Sequence, residues 1–172
     1  MAPDPARPDP ARPDPSRPEI DDFTRPFWDA AGEGRLLLRR CRGCGRAHHH
    51  PREFCPYCWS EDVGWETASG RATLYTWSVV HRNDVPPFGD RVPYVAAVVD
   101  LAEGPRMTTG ITECGAGTTG RGAGLAIGMA LEVTFRREDP AGPAIPYFRP
   151  AQGQSSSRAQ PPSGPSAGPS RR

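Results

Sequence analysis

Apolar residues recur at every second position through much of the second half of the chain, the mark of strands with one buried face. Residues 73–81 put Tyr75, Trp77, Val79 and His81 on one face and Leu74, Thr76, Ser78 and Val80 on the other. Residues 92–101 (VPYVAAVVDL) form a mostly apolar run between turn residues, which predicts a strand buried on both sides. Residues 105–112 predict a strand returning through the Glu103-Gly104-Pro105 turn, and Leu131, Val133 and Phe135 alternate with Glu132, Thr134 and Arg136 in another. Residues 145–148 predict a short closing strand. Short strands joined by turns, with little helix, predict a small closed barrel, and the roughly 80 residues available suit the OB type.

Ahead of the barrel the pattern differs. Residues 24–32 (TRPFWDAAG) predict a short helix. Thr24 can cap it, and Pro26 sits in the first turn, where its missing N–H is harmless. Phe27 and Trp28 are large for so short an element and predict packing on the ribbon that follows or on a partner. Gly32 and Gly34 end the helix. Leu36, Leu37 and Leu38 then run through Arg39 and Arg40 as a short strand into Cys41.

Cys41 and Cys44, followed by Cys55 and Cys58, are two CxxC pairs. Each pair sets two thiolates on one tight turn, and two facing turns supply the corners of a tetrahedron, the geometry of a closed structural zinc site. Iron in a rubredoxin-like site takes the same ligands. A pair of disulfides would need an oxidising compartment, to which nothing in the chain points. A full shell of thiolates leaves no open position for water, so such a centre builds structure and performs no hydrolysis. The ribbon is too small to own a core, so the metal is expected to supply its folding energy, about 10–16 kcal/mol in small zinc peptides.

The ends read differently from the middle. Residues 2–18 repeat the unit Pro-Asp-Pro-Ala-Arg, and prolines at that spacing block both helix and strand pairing. An extended, disordered arm is expected. Residues 151–172 contain no aromatic or β-branched residue and are also expected to be disordered. The expected division is therefore an arm over 1–18, a helical segment over 19–35, a zinc ribbon over 36–66, an OB-fold barrel over 67–150 and a tail over 151–172.

All 21 basic residues of the 172 are arginine. Residues 19–150 carry 15 Arg against 17 Asp plus Glu, a poor footprint for a general nucleic-acid binder. The charge is uneven, however: residues 35–52 hold six arginines and no acid, a local basic patch over the ribbon. No apolar run approaches the ~20 residues of a membrane span, and the N-terminus has no apolar signal core. These readings predict a cytoplasmic protein, where close thiols mean metal.

Three further features read blandly. His48, His49 and His50 lie between the knuckles, but four cysteines already fill the metal shell, so these histidines are expected to line the patch or face solvent. Cys114 reads as a small buried apolar residue. Residues 115–120 match GxGxxG, yet no helix-opening βαβ context follows, so a glycine-rich barrel loop is expected.

The strings Phe27-Trp28, Gly34-Arg-Leu, Cys41-xx-Cys44-Gly, Pro51-Arg52 and Cys55-Pro-xx-Cys58 come in order. Gly70-Arg-Ala-Thr-Leu-Tyr-Thr, Val79-Val-His-Arg82, Pro93-Tyr-Val95, Glu103-Gly-Pro-Arg106, Gly128-Met-x-Leu-Glu-Val133 and Pro146-Tyr-Phe148 follow. Together they resemble the bacterial and archaeal acyl-CoA-associated zinc-ribbon/OB-fold family, formerly a domain of unknown function, over residues 23–150. The resemblance implies a mostly β protein: a short N-terminal helix, a rubredoxin-like zinc ribbon and a C-terminal OB-fold barrel. It also implies a non-catalytic subunit that binds or channels acyl-CoA thioesters and scaffolds a thiolase-like or aldolase enzyme, or a hydratase-fold partner, in lipid, steroid or polyketide metabolism.

The residues are compatible with that role. Coenzyme A carries several phosphate charges and a long pantetheine arm. Arg39, Arg40, Arg42, Arg46, Arg52 and Arg82 offer charge-assisted hydrogen bonds to phosphate. Tyr75, Trp77 and Phe88 offer cover for the adenine or the arm, and His81 is a further candidate contact. Two competing functions remain. A nucleic-acid-binding ribbon and OB module would use Tyr75 and Trp77 as a stacking face, against the acidic balance of the folded part. An independent enzyme would have to use His81, Asp84 and Asp90, and no nucleophile–base pair accompanies them.

Overall fold

Helix α1 (Arg25–Gly32) begins where Asp21 turns back on the chain. The Asp21 carboxylate accepts both the Thr24 backbone N–H and the Thr24 hydroxyl, each at 2.6 Å. Thr24 occupies the N-cap position, but its hydroxyl is spent on Asp21 and does not cap the helix, contrary to the expectation from sequence. Gly34, with φ +79°, ends the helix as the residue types predict. The computed structural model describes residues 18–86, 88–114, 122 and 124–151. The expected disordered arm, the tail beyond Ala151 and nearly all of the glycine-rich loop lie outside the described residues.

After α1 come β1 (Leu37–Cys41), β2 (Ala47–His48) and β3 (Val63–Thr67), an antiparallel sheet with β1 in the middle. Strands β4 (Arg71–Val80), β5 (Tyr94–Leu101), β6 (Arg106–Ile111), β7 (Ala130–Arg137) and β8 (Ala144–Pro150) then close a barrel in the order β4-β5-β6-β8-β7. Every pairing in it is antiparallel except β6 with β8, which meet in parallel at Ile111↔Phe148. This is the OB arrangement the alternating pattern predicts.

Two strand readings need correction. The register of β4 slips between Leu74 and Thr76, a β-bulge at Tyr75. One extra residue reverses the faces beyond it. Ala72 and Leu74 point inward before the bulge, Trp77 and Val79 pack on the core after it, and Tyr75 is 43% exposed. Tyr75 and Trp77 therefore do not share a face. Strand β5 is buried on one side only: Val95, Ala97, Val99 and Leu101 are buried, and the residues between them are half-buried.

The core is shared. Leu36, Leu74, Val99, Leu131 and Phe148 are almost fully buried. Phe27 and Ala30 of α1, and Leu36, Leu37, Leu38 and Ala47 of the ribbon, join the same cluster as the barrel residues. The ribbon is thus roofed onto the barrel through β1, and the metal is not its sole source of folding energy. Gly110 marks a close approach within this packing: a Cβ there would meet Tyr147 Cε1 at 2.5 Å.

Candidate metal centre and groove

The first knuckle turns at Cys41–Gly45, and the Gly45 N–H closes it on Cys41 O at 2.9 Å. The second turns at Cys55–Trp59, and the Trp59 N–H closes it on Cys55 O at the same distance. The two turns are thus the same device used twice. They bring the four Sγ atoms within 4.8 Å of one another. Cys41 to Cys58 is 3.6 Å and Cys44 to Cys55 is 3.7 Å. A tetrahedron with bonds of about 2.3 Å has edges of about 3.8 Å, so the donor set fits a tetrahedral thiolate-bound ion. A disulfide requires about 2.05 Å between sulfurs, and all of the cysteines are free. The Cys44 backbone N–H points at Cys41 Sγ (3.4 Å) and is the main cause lowering the Cys41 thiol pKa to about 7. These residues can hold a metal ion.

The knuckle turn forces its fifth residue into the left-handed region. Gly45 meets this at φ +73° without cost, but the equivalent residue of the second knuckle is Trp59, at φ +64°. Trp59 is 74% exposed and stacks on Phe54 at 5.3 Å, while the Arg46 guanidinium lies over the Tyr57 ring at 5.0 Å.

The arginines expected to hold phosphate are mostly engaged elsewhere. Arg39 is 8% exposed, its guanidinium 5.3 Å from the Phe23 ring and 4.9 Å from the Trp65 ring and donating to Val63 O at 2.9 Å. Burial lowers its pKa. Arg40 pairs with Glu66, Arg42 with Asp62 and Arg82 with Asp84. Arg46 and Arg52 are exposed on the ribbon. Tyr75 lies under Arg106, which also binds Asp100. His81 is exposed at the end of β4. The structure does not gather these residues into one site.

A groove of about 1070 Å³ does gather others. It opens along the parallel seam of the barrel. Val95, Met107, Ile111 and Pro146 supply an apolar floor, and Phe27 and Trp28 of α1 stand over it as one wall. His49, His50 and Pro51, from between the knuckles, continue that wall. Arg91, Arg136 and Arg137 add a basic rim, with the Arg137 guanidinium lying against the Gly32 end of α1. Arg91 pairs with Glu138, which also accepts the Tyr147 hydroxyl, and Arg137 donates to Gly142 O at 2.8 Å. Arg136 makes no ion pair among the described residues and is exposed. Burial, then the Glu138 carboxylate, raises the Tyr147 pKa and keeps the phenol protonated. His49 is held neutral, its pKa lowered to about 4 by burial and by the neighbouring His50 and His48. Cys114 is buried at the groove, as a small apolar residue should be.

Of the residues proposed from sequence for coenzyme A, Phe88 lines this groove; Arg91 sits over its ring at 5.5 Å. The rim is not legible in the sequence, where Arg136 reads as a polar position of an amphipathic strand. What places it on a rim is the fold of β7 beside β8, which no local pattern reports.

The fold and the site define a protein whose cysteine ribbon is roofed onto an OB barrel, and among the described residues no helix is long and apolar enough to cross a membrane. Residues 28–64 match the family "ChsH2, rubredoxin-like zinc ribbon domain" and residues 65–136 match "ChsH2, C-terminal OB-fold domain". The chain belongs to this ChsH2/DUF35 zinc-ribbon and OB-fold family.

A "DUF35 domain-containing scaffold protein" of Methanocaldococcus jannaschii is 37% identical over 68% of this chain and 82% of its own. A "Probable enoyl-CoA hydratase alpha subunit" of Thermomonospora curvata is 35% identical over 76% of this chain, which spans only 39% of that longer protein. The solved "Ltp2-ChsH2(DUF35) aldolase" superposes with a TM-score of 0.64 at 33% identity, covering 78% of this chain and 98% of that one.

Proposed function

We propose that this chain is a non-catalytic, cytoplasmic accessory subunit that binds or channels acyl-CoA thioesters and scaffolds a thiolase-like, aldolase or hydratase-fold enzyme in lipid, steroid or polyketide metabolism. The metal is zinc in a structural role. The observation that carries the reading is the groove. Its apolar floor and aromatic wall suit a pantetheine arm and acyl chain, and its arginine rim suits phosphate. Arg136 is the rim cation left free for the ligand. Among the described residues, the hydroxyl–carboxylate contacts at the groove, Thr24 with Asp21 and Tyr147 with Glu138, are a helix-start turn and a phenol kept protonated. Four thiolates close the metal to substrate, and the chemistry belongs to the partner. The names of the scaffold, hydratase-subunit and aldolase relatives support the same role.

Titration calorimetry of the purified chain with coenzyme A and an acyl-CoA tests this. Arg136→Ala is expected to weaken both about tenfold, the loss of one charge-assisted contact. Equal binding by the variant, or none by the wild type, would remove the groove as the site. Turnover of acyl-CoA by the isolated chain would end the non-catalytic assignment. Elemental analysis should return one zinc per chain; iron with the red colour of a thiolate centre would correct the metal.

A further inference from the structure

The two knuckles are a built-in control for each other. Each closes with the same hydrogen bond, Gly45 N–H to Cys41 O and Trp59 N–H to Cys55 O, both 2.9 Å. Each therefore puts its fifth residue at positive φ, +73° and +64°. Glycine is the residue that conformation favours, and a bulky aromatic side chain is strained there. The second knuckle carries the strain and gains no burial for it, since Trp59 is 74% exposed. A large apolar side chain kept in water, on a backbone that would relax with glycine, is explained by a contact made outside this chain.

Its neighbours have the composition of an interface centre. Phe54 stacks behind Trp59 at 5.3 Å, and Tyr57, 47% exposed, carries Arg46 over its ring. Tryptophan, tyrosine and arginine are the residues on which protein–protein binding energy concentrates. The metal centre fixes this platform on both sides, through Cys55 and Cys58, so little order has to be gained on docking. None of these aromatics lines the groove. The charge of the segment separates the classes of partner: over residues 42–62, Arg42, Arg46 and Arg52 are equalled in number by Glu53, Glu61 and Asp62, and Arg42 pairs with Asp62 directly. A neutral, mixed-charge rim suits another protein and gives a phosphate backbone or an anionic membrane no net attraction.

We propose that the second knuckle is the docking face for the enzyme subunit, with Trp59 inserted into an apolar slot of that partner ringed by charges of both signs, leaving the groove free for the thioester. The partner's identity rests on the function proposed above; the role of Trp59 rests on the knuckle geometry.

The test is Trp59→Gly in the full chain, a variant that the backbone conformation itself favours. The probe is the enzyme that purifies with the tagged wild-type chain, identified and then prepared separately. The variant is expected to keep its zinc and its melting temperature, or raise it, while its affinity for that enzyme falls at least thirtyfold (about 2 kcal/mol, the threshold of an interface hot spot). Loss of zinc or a lowered melting temperature with unchanged affinity would show that Trp59 serves only the ribbon and would overturn the proposal. So would unchanged affinity alone, with the accessory-subunit reading intact. Retention of the wild type, but not the variant, on a single-stranded oligonucleotide at physiological salt would overturn it in favour of a nucleic-acid platform. If the wild type captures no thiolase-, aldolase- or hydratase-like enzyme, the accessory-subunit reading falls and the proposal falls with it.

Discussion

His49 shows how one side chain ties the acid stability of the protein to the groove. It sits between α1 and the barrel, its ring 6.2 Å from Phe27 and 5.1 Å from His50, and burial holds its pKa at about 4 against the ordinary 6.5. A histidine whose folded pKa is depressed binds its proton more readily in the unfolded chain. The stability this neutral ring allows is present above pH 6.5, is lost as pH falls from about 6.5 to about 4, and is flat below that. A separation of that size corresponds to roughly 3 kcal/mol as an order of magnitude. Protonation of the cysteine thiolates also releases metal in acid, so the measurement has to be a difference. His49→Gln, compared with wild type by denaturant melts between pH 4 and 7, is expected to flatten the difference curve in that window. Parallel curves would mean that His49 does not titrate with folding. The sequence showed the three histidines and their exclusion from the metal shell, but the burial of His49 comes from α1 lying over it, a contact more than 20 positions distant.

At the level of elements, the ribbon divides into a part held by apolar packing and a part held by sulfur. Leu36, Leu37 and Leu38 enter the common core, so β1 stays docked on hydrophobic burial alone. The knuckle turns contribute no large side chain to that core; besides the ion they would share, they are joined by exposed contacts, the Arg42 backbone N–H to Asp62 O at 2.9 Å and Arg46 over the Tyr57 ring. Chelation of the metal, or Cys41→Ser, is therefore expected to abolish hydrogen-exchange protection at the Gly45 and Trp59 amides while β4–β8 keep theirs. Loss of protection throughout the barrel would show that the metal holds the whole fold. The strands and knuckles were legible because their signals are local: period-two alternation and CxxC spacing. The bulge at Tyr75 was not legible, since alternation in β4 continues unbroken through the residue that slips. That one slip separated Tyr75 from Trp77 and dissolved the stacking face read from the sequence.

Over the whole molecule, the groove belongs to no single element. Its floor is barrel, one wall is α1 and the segment between the knuckles, and the rim is Arg91 together with the far end of β7. The basic patch at residues 35–52 reads as a binding surface because charge is visible in sequence; that Glu66 pairs with Arg40 and Asp62 with Arg42, and that two aromatic rings flank Arg39, is not. A wall that hangs from the ribbon has a consequence for energetics. Removing the metal frees the turns on either side of His49, His50 and Pro51, so it should also loosen the groove. Thermodynamic linkage then runs both ways: whatever factor metal contributes to thioester affinity, the thioester contributes to metal affinity. A coupling of about tenfold, or ~1.4 kcal/mol, is the scale expected for two sites sharing one loop. Calorimetry of acyl-CoA binding with and without zinc gives one side of the cycle. Chelator competition for zinc with and without saturating acyl-CoA gives the other, and the two factors should agree. Thioester affinity that is indifferent to the metal would show that the barrel and α1 hold the groove unaided, and that the ribbon serves only as a face for the partner.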